Sequence, residues 1–187
     1  LKDFAHEAPA IANYTTGEVM GHISDRLAAK FGVSRNDQDA FTVRSHTNAA
    51  KAHADGLYDD EMFAVGGSVA ENGIKGDSNM EKVGKLKPAF MKPHGTHTAA
   101  NSSYLTDGAS AILLMSDEKA VQLGYKPKAY VRAWEYVGVD PFEELLLGPT
   151  FASHKVMQKM GLTMKDVGVI GKPLHLSLIC YSSLCFL

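Results

Sequence analysis

The stretch HGTHTAANSSYLTDGASAILLMS, residues 94–116, constrains the fold more than any other part of this chain. Gly95, Ala99, Ala100, Ser102, Ser103 and Gly108 offer almost no side-chain bulk. Backbone of that kind either runs slack or comes close to something. The apolar run Ala109 to Met115 follows at once and predicts a short strand buried on both faces. Together they suggest a loop held against a ligand by a rigid strand.

Helix signals fill the first half. Thr15 and Glu18 have capping-box spacing, and Val19, Ile23, Leu27 and Phe31 recur every four residues, which predicts an amphipathic helix over 17–31. Ser34 is placed to cap a longer helix, NDQDAFTVRSHTNAAKAHAD, closed by Gly56. Its alanines would allow close packing on one side, with Arg44, Lys51 and Asp55 facing water. Residues 57–77 read as irregular, with an acidic turn, a brief MFAV strand and a Gly-rich loop. Ser78 and Glu81 repeat the capping-box spacing for a short helix ended by Lys87-Pro88.

In the second half, Ser116 caps DEKAVQL, which stops at Gly124. KAYVRAWEYVG, 128–138, is rich in aromatic and β-branched residues and predicts a strand, with Tyr130, Trp134 and Tyr136 packing on a sheet face. Asp140-Pro141 marks a turn, and a helix from Phe151 to Met160 ends at Gly161. Strand, helix, strand, helix argues for a layered α/β fold.

The bulk values exclude some functions. A net charge of -2, with 21% charged and 45% hydrophobic residues, gives no reason to expect a nucleic-acid partner or an acidic membrane surface. The apolar stretch at the C-terminus, about fourteen residues, is too short to span a bilayer. Cys180 and Cys185 are too few for a disulfide framework, and their spacing to His175 is no familiar zinc pattern. His94 with His97, and His46 with His53, lack a third ligand and read as surface or hydrogen-bonded histidines, so no metal site is expected. G-x-S-x-G, G-x-G-x-x-G and P-loop motifs are missing.

MGHISDRLAAKFGVSRNDQDAFTVRSHTNAAKAHADG resembles the thiolase family's M-G-x-x-A-E-x-x-A and S-R-x-x-Q-D-x-x-A-x-x-S-H-x-x-A stretches. KLKPAF, GTHTAANSSYLTDGASAILLMS and GVDPFEELLLGP look like its K-L-[RK]-P-A-F, G-T-V-T-A-G-N-[AS]-S-x-x-[ND]-G-A-[AS]-A and G-V-D-P…G-P blocks, in family order. His22 after Met-Gly, and three leucines before Gly-Pro, are most similar to mitochondrial members that act in fatty-acid β-oxidation as one subunit of a larger enzyme.

The resemblance implies a partial thiolase fold, layered α/β/α with a helical and loop insertion. Residues 1–115 would be the C-terminal part of the family's N-terminal domain with its insertion, 116–167 the start of its C-terminal domain, and 168–187 a tail foreign to the family. It also implies 3-ketoacyl-CoA thiolysis, coenzyme A as a substrate rather than a cofactor, a dimer partner and a mitochondrial location. Ala99, Ser102 and Ser103 would line the tunnel for the pantetheine arm, where a narrow amphipathic ligand needs small walls and a few hydrogen-bonding groups. Phe90 would pack on the same arm, and Met20 would stand beside the thioester.

Departures from the pattern define further expectations. His97 stands where the family has Val, and Ala100 where it has Gly. The family's nucleophilic Cys, its [NH]-E-A-F motif, its activating His and its second Cys have no counterpart in these 187 residues, so no catalytic residue is assigned and the chain is expected to be inactive alone. The alternatives are a non-catalytic module that binds coenzyme A or pairs with full-length subunits, or a defective gene product. The chain does not begin with Met, and family register stops after Val167. It therefore reads as a fragment whose last twenty or so residues are translated non-coding sequence, because an insertion would return to the pattern.

Overall fold

The computed structural model describes residues 11–64, 66–67, 73–103 and 111–171. Five helices follow one another among them: α1 (Met20–Phe31), α2 (Arg35–Ala54), α3 (Met80–Gly84), α4 (Asp117–Leu123) and α5 (Gly148–Met160). Short 3-10 turns, Leu145–Leu147 and Met164–Asp166, lie on either side of α5.

The apolar spacing of α1 does what its period requires. Ile23, Leu27 and Ala28 are buried together with Leu146 and Leu147, and Phe31, Val33 and Leu145 pack around them. Gly32 ends the helix in the left-handed region at φ 65° and returns its N–H to Ala28 and Ala29 carbonyls. The start differs from the expected one. The helix opens at Met20, behind Val19, which offers no side-chain cap. Asn13 Oδ1 instead takes the Thr15 and Thr16 amides in a turn, Gly17 adopts φ 68°, and Glu18 is committed to Arg26.

The α2 cap is as the sequence predicts. Ser34 Oγ accepts from Asp37 N at 3.1 Å and Asp37 returns the bond to Ser34 N at 3.2 Å. Arg44, Lys51 and Asp55 are exposed. The buried face is not made of alanines, however; it consists of Gln38, Asp39 and Thr42. α3 packs against α2 through Val83, and Arg35 caps its end by donating to the Val83 and Leu86 carbonyls. Its N-cap is Asn79, not Ser78, because Asn79 Oδ1 takes the Lys82 amide while Glu81 pairs with Lys85.

α4 runs from its Ser116 cap to Gly124, as expected. Asp140 forms the expected turn, accepting the Phe142 and Glu143 amides. α5 begins three residues before Phe151, since Pro149 fits the first helical turn, where its missing N–H costs nothing.

The expected strands are the main correction. Residues 111–115 and 128–138 form no strand, and Ile112, Leu113, Trp134 and Tyr136 are largely exposed. β-propensity expresses itself only where a neighbouring strand supplies hydrogen bonds, and the described residues supply none. The MFAV segment is irregular at 62–64. Val65, Ala109 and Ser110, most of the Gly-rich loop and residues 172–187, including His175, Cys180 and Cys185, lie outside the described residues.

Candidate functional site

Two helices and one loop build the most organised polar region. α1 contributes Ser24 and Asp25, α2 contributes Gln38 and Asp39, and the segment 89–103 folds between them. Asp25 gathers most of that segment. Its Oδ1 accepts from Thr96 N at 2.7 Å, His97 N at 3.0 Å and His97 Nδ1 at 2.9 Å, and its Oδ2 from Met91 N at 3.2 Å. A Cβ on Gly95 would collide with the same carboxylate and stand 2.8 Å from Met91 O, which explains a glycine there.

Asp39 holds the far end. Its Oδ2 takes Arg35 Nε at 2.7 Å, and its Oδ1 takes Asn101 Nδ2 at 3.1 Å. Asn101 in turn donates to Thr96 O and accepts from Thr98 N at 2.7 Å. Gln38 Nε2 donates to Thr96 Oγ1 at 2.8 Å. The two buried aspartates thus staple one loop to two helices.

Burial alone would raise the Asp25 pKa. The His97 ring and the His97, Thr96 and Met91 amides outweigh it and hold the carboxyl at about 2. Ser24 Oγ lies 2.8 Å from His97 Nε2, completing a Ser–His–Asp chain. That order is the one used for nucleophilic catalysis. Here Ser24 and His97 are both 0% exposed, so no substrate can reach the hydroxyl, and the chain of bonds is structural. Both residues depart from the family pattern, Ser24 standing at its Ala and His97 at its Val, and the two departures bond to each other.

The residues singled out from the sequence fall around this staple. Met20 opens α1 and is 46% exposed. Phe90 lies edge-on to His22 and sits so tightly on Gly21 that any Cβ there would enter its ring. Ala89 N bonds His97 O at 2.8 Å, joining the Phe90 segment to the loop of Ala99 and Ser102. Ala99 and Ser103 are exposed. Ser102 Oγ is buried with no hydrogen-bond partner among the described residues, as is Gln38 Oε1. Ala100 needs no positive φ, so the loss of the family's glycine causes no strain.

Asp25, Asp39 and Asn101 escaped the sequence reading. The bonds that join Asp25 and Asp39 to the loop span 62 to 72 residues, so nothing local marked them, although Asp39 and Asn101 match lettered positions of the Q-D and T-A-G-N blocks. Among the histidines, His94 is exposed and His46 Nδ1 accepts the Lys75 amide. No group of three His, Cys, Asp or Glu among the described residues could hold a metal ion. No helix among them is long and apolar enough to cross a membrane. A groove of about 280 Å³ between α5 and Arg132-Ala133 is lined by Val156, Met157, Met160 and Leu162, and it contains none of the candidate residues.

Comparison with known proteins agrees with this architecture. Residues 2–118 match the family model for the thiolase N-terminal domain, and residues 125–172 that for the thiolase C-terminal domain, which runs into the stretch read as a tail. The chain is 55% identical over 171 residues to the mitochondrial trifunctional enzyme subunit beta of Macaca fascicularis, covering 89% of this chain and 36% of that protein. It is 53% identical to a probable 3-ketoacyl-CoA thiolase of Caenorhabditis elegans, covering 87% of this chain and 38% of the relative. The crystal structure of Bacillus anthracis acetyl-CoA acetyltransferase superposes with a TM-score of 0.83 at 28% identity, over 93% of this chain and 45% of that one. The chain thus spans little more than a third of the length of these two sequence relatives. The superposition gives the described helices their place in a layered α/β fold, of which they are a part. With the N-terminal domain model alone matching well over half of its residues, the chain belongs to the thiolase family.

Proposed function

We propose that this chain is part of a 3-ketoacyl-CoA thiolase of mitochondrial fatty-acid β-oxidation, an acyltransferase that releases acetyl-CoA and a shortened acyl-CoA. Within it, Met20, Phe90, Ala99, Ser102 and Ser103 line the path of the coenzyme A arm. The observation that carries this reading is Ser102 Oγ, buried without a partner among the described residues, on the loop that the family resemblance assigns to pantetheine. A buried hydroxyl left unpaired costs about 1–3 kcal/mol, which a ligand amide would recover.

These 187 residues hold no group in the family's nucleophile or acid–base contexts. The chain therefore contributes coenzyme A contacts and no proton-transfer step. Its division near residue 116 follows the family's two domains. Its partners are a second thiolase subunit and the α subunit that complements a trifunctional β subunit.

Calorimetric titration of the full chain with coenzyme A tests the reading. Binding that weakens about tenfold in Ser102→Ala supports it. An unchanged affinity in that variant, or no binding by the unsubstituted chain, overturns it. Thiolysis of a 3-ketoacyl-CoA should remain at background, and acetyl-CoA release that is lost in a Cys180→Ala, Cys185→Ala double variant would contradict the assignment of roles.

A further inference from the structure

We propose that Asp25 is a positioning residue for coenzyme A, acting through the buried Ser24–His97–Asp25 chain that fixes the loop carrying Ala99, Ser102 and Ser103. The inference rests on the coenzyme A reading above and adds to it the device that holds the site in shape.

The geometry gives Asp25 a role beyond filling space. One carboxylate takes three backbone amides, from Met91, Thr96 and His97, and a ring nitrogen. Those amides lie between Phe90 and Ala99, so a single side chain ties down the backbone next to both. A carboxylate only accepts, so His97 Nδ1 must carry the proton and Nε2 is free to accept the Ser24 hydroxyl. That fixes the tautomer and orientation of the ring from both ends. His97 O then receives Ala89 N, carrying the constraint to the neighbour of Phe90. On the other side Thr96, which bonds Asp25 through both N and Oγ1, also receives Gln38 and gives its carbonyl to Asn101, the residue before Ser102. A binding loop held this way is ordered before the ligand arrives, and its ordering entropy is not charged to binding.

The test uses the full chain, coenzyme A as the probe, and nitrogen-15 histidine labelling. In the unsubstituted chain, His97 should show the Nδ1-protonated tautomer, and the Met91, Thr96 and His97 amides should exchange slowly. Asp25→Asn should lose this ring signature and the amide protection, and should weaken coenzyme A binding about tenfold with helical circular dichroism retained. Should Asp25→Asn fail to fold, His97→Leu serves instead. It keeps the volume and the backbone amide, removes only the ring bonds, and should weaken binding about fivefold. A folded variant of either kind that binds coenzyme A as tightly as the unsubstituted chain overturns the positioning role while leaving the site reading intact. If the unsubstituted chain does not bind coenzyme A, the site reading fails and the positioning of that ligand fails with it. Amide exchange still shows in that case whether Asp25 orders the loop.

Discussion

Arg26 grips Glu18 with both terminal nitrogens, at 2.8 and 2.6 Å, while its guanidinium carbon lies 4.2 Å from the centre of the Phe142 ring. Arg26 also donates to the Phe142 carbonyl at 2.8 Å, so one side chain ties the approach to α1 to the Asp140 turn. Planar bidentate pairing and ring stacking are both guanidinium properties. Arg26→Lys should therefore lower the thermal midpoint although charge is kept. Arg26→Ala should lower it further, with lost ring contact alone contributing about 1 kcal/mol. Thermal melts of the two variants check the order.

Gly21→Ala sets two effects against each other. Helix propensity favours alanine by about 1 kcal/mol. The Phe90 ring occupies the space the new methyl needs, and overpacking costs about 1–3 kcal/mol. The variant should be destabilised in urea, and adding Phe90→Leu should restore most of the loss. A Gly21→Ala chain more stable than the parent would refute the tight Phe90 contact.

Asp25 predicts a pH dependence with a definite sign. Its pKa is about 2 when folded, against roughly 3.9 for a free aspartate. Between those values the unfolded chain binds more protons, so stability rises with pH. The contribution is complete above pH about 4 and disappears as pH falls through 2. Urea midpoints from acid to neutral pH should rise less steeply in Asp25→Asn than in the parent, with the other acids common to both.

Ser34→Ala should cost α2 about 1 kcal/mol, and Ser34→Asn much less, since an asparagine Oδ1 can take the Asp37 amide while its amide donates to the Asp37 carboxylate that Ser34 Oγ now meets at 2.6 Å. Circular dichroism at 222 nm during urea titration reads the difference.

Exposed apolar residues predict association. Ile112, Leu113 and Leu114 are 81%, 70% and 72% exposed in one run. Such a patch drives self-association or partner binding. Ile112→Lys with Leu114→Lys should raise the soluble fraction and shift sedimentation toward monomer, with no loss of α1–α2 helicity.

What could be read from the sequence followed the range of the forces involved. The α4 limits were legible because Ser116 and Gly124 act on residues within one turn. The Ser34 cap and the Gly161 stop were legible for the same reason. Asn79 displaced Ser78 as a cap because adjacent polar residues compete for the same amides. The strand readings failed because a strand is completed by a distant neighbour. The candidate site was legible only in part. Family resemblance pointed to Met20, Phe90 and the small-residue loop. The aspartates that hold that loop stand at acidic positions of the family blocks, but which amides they bind is decided only once α1, α2 and the loop meet.

The burial of Leu146 and Leu147 against Ile23 and Leu27 also bears on how fast the chain can fold. The Arg26–Phe142 bond at the edge of that cluster joins positions 116 residues apart. Closing a loop of that size costs about 4 kcal/mol in chain entropy before any apolar contact repays it. α1 and α2 can form and cap locally within microseconds, whereas the leucine pair must diffuse in from far along the chain. The meeting of α1 with the Leu145–Leu147 turn therefore needs a longer loop closure than the Asp25–His97 and Asp39–Asn101 contacts, and slowing that search would expose the unpaired apolar segments for longer.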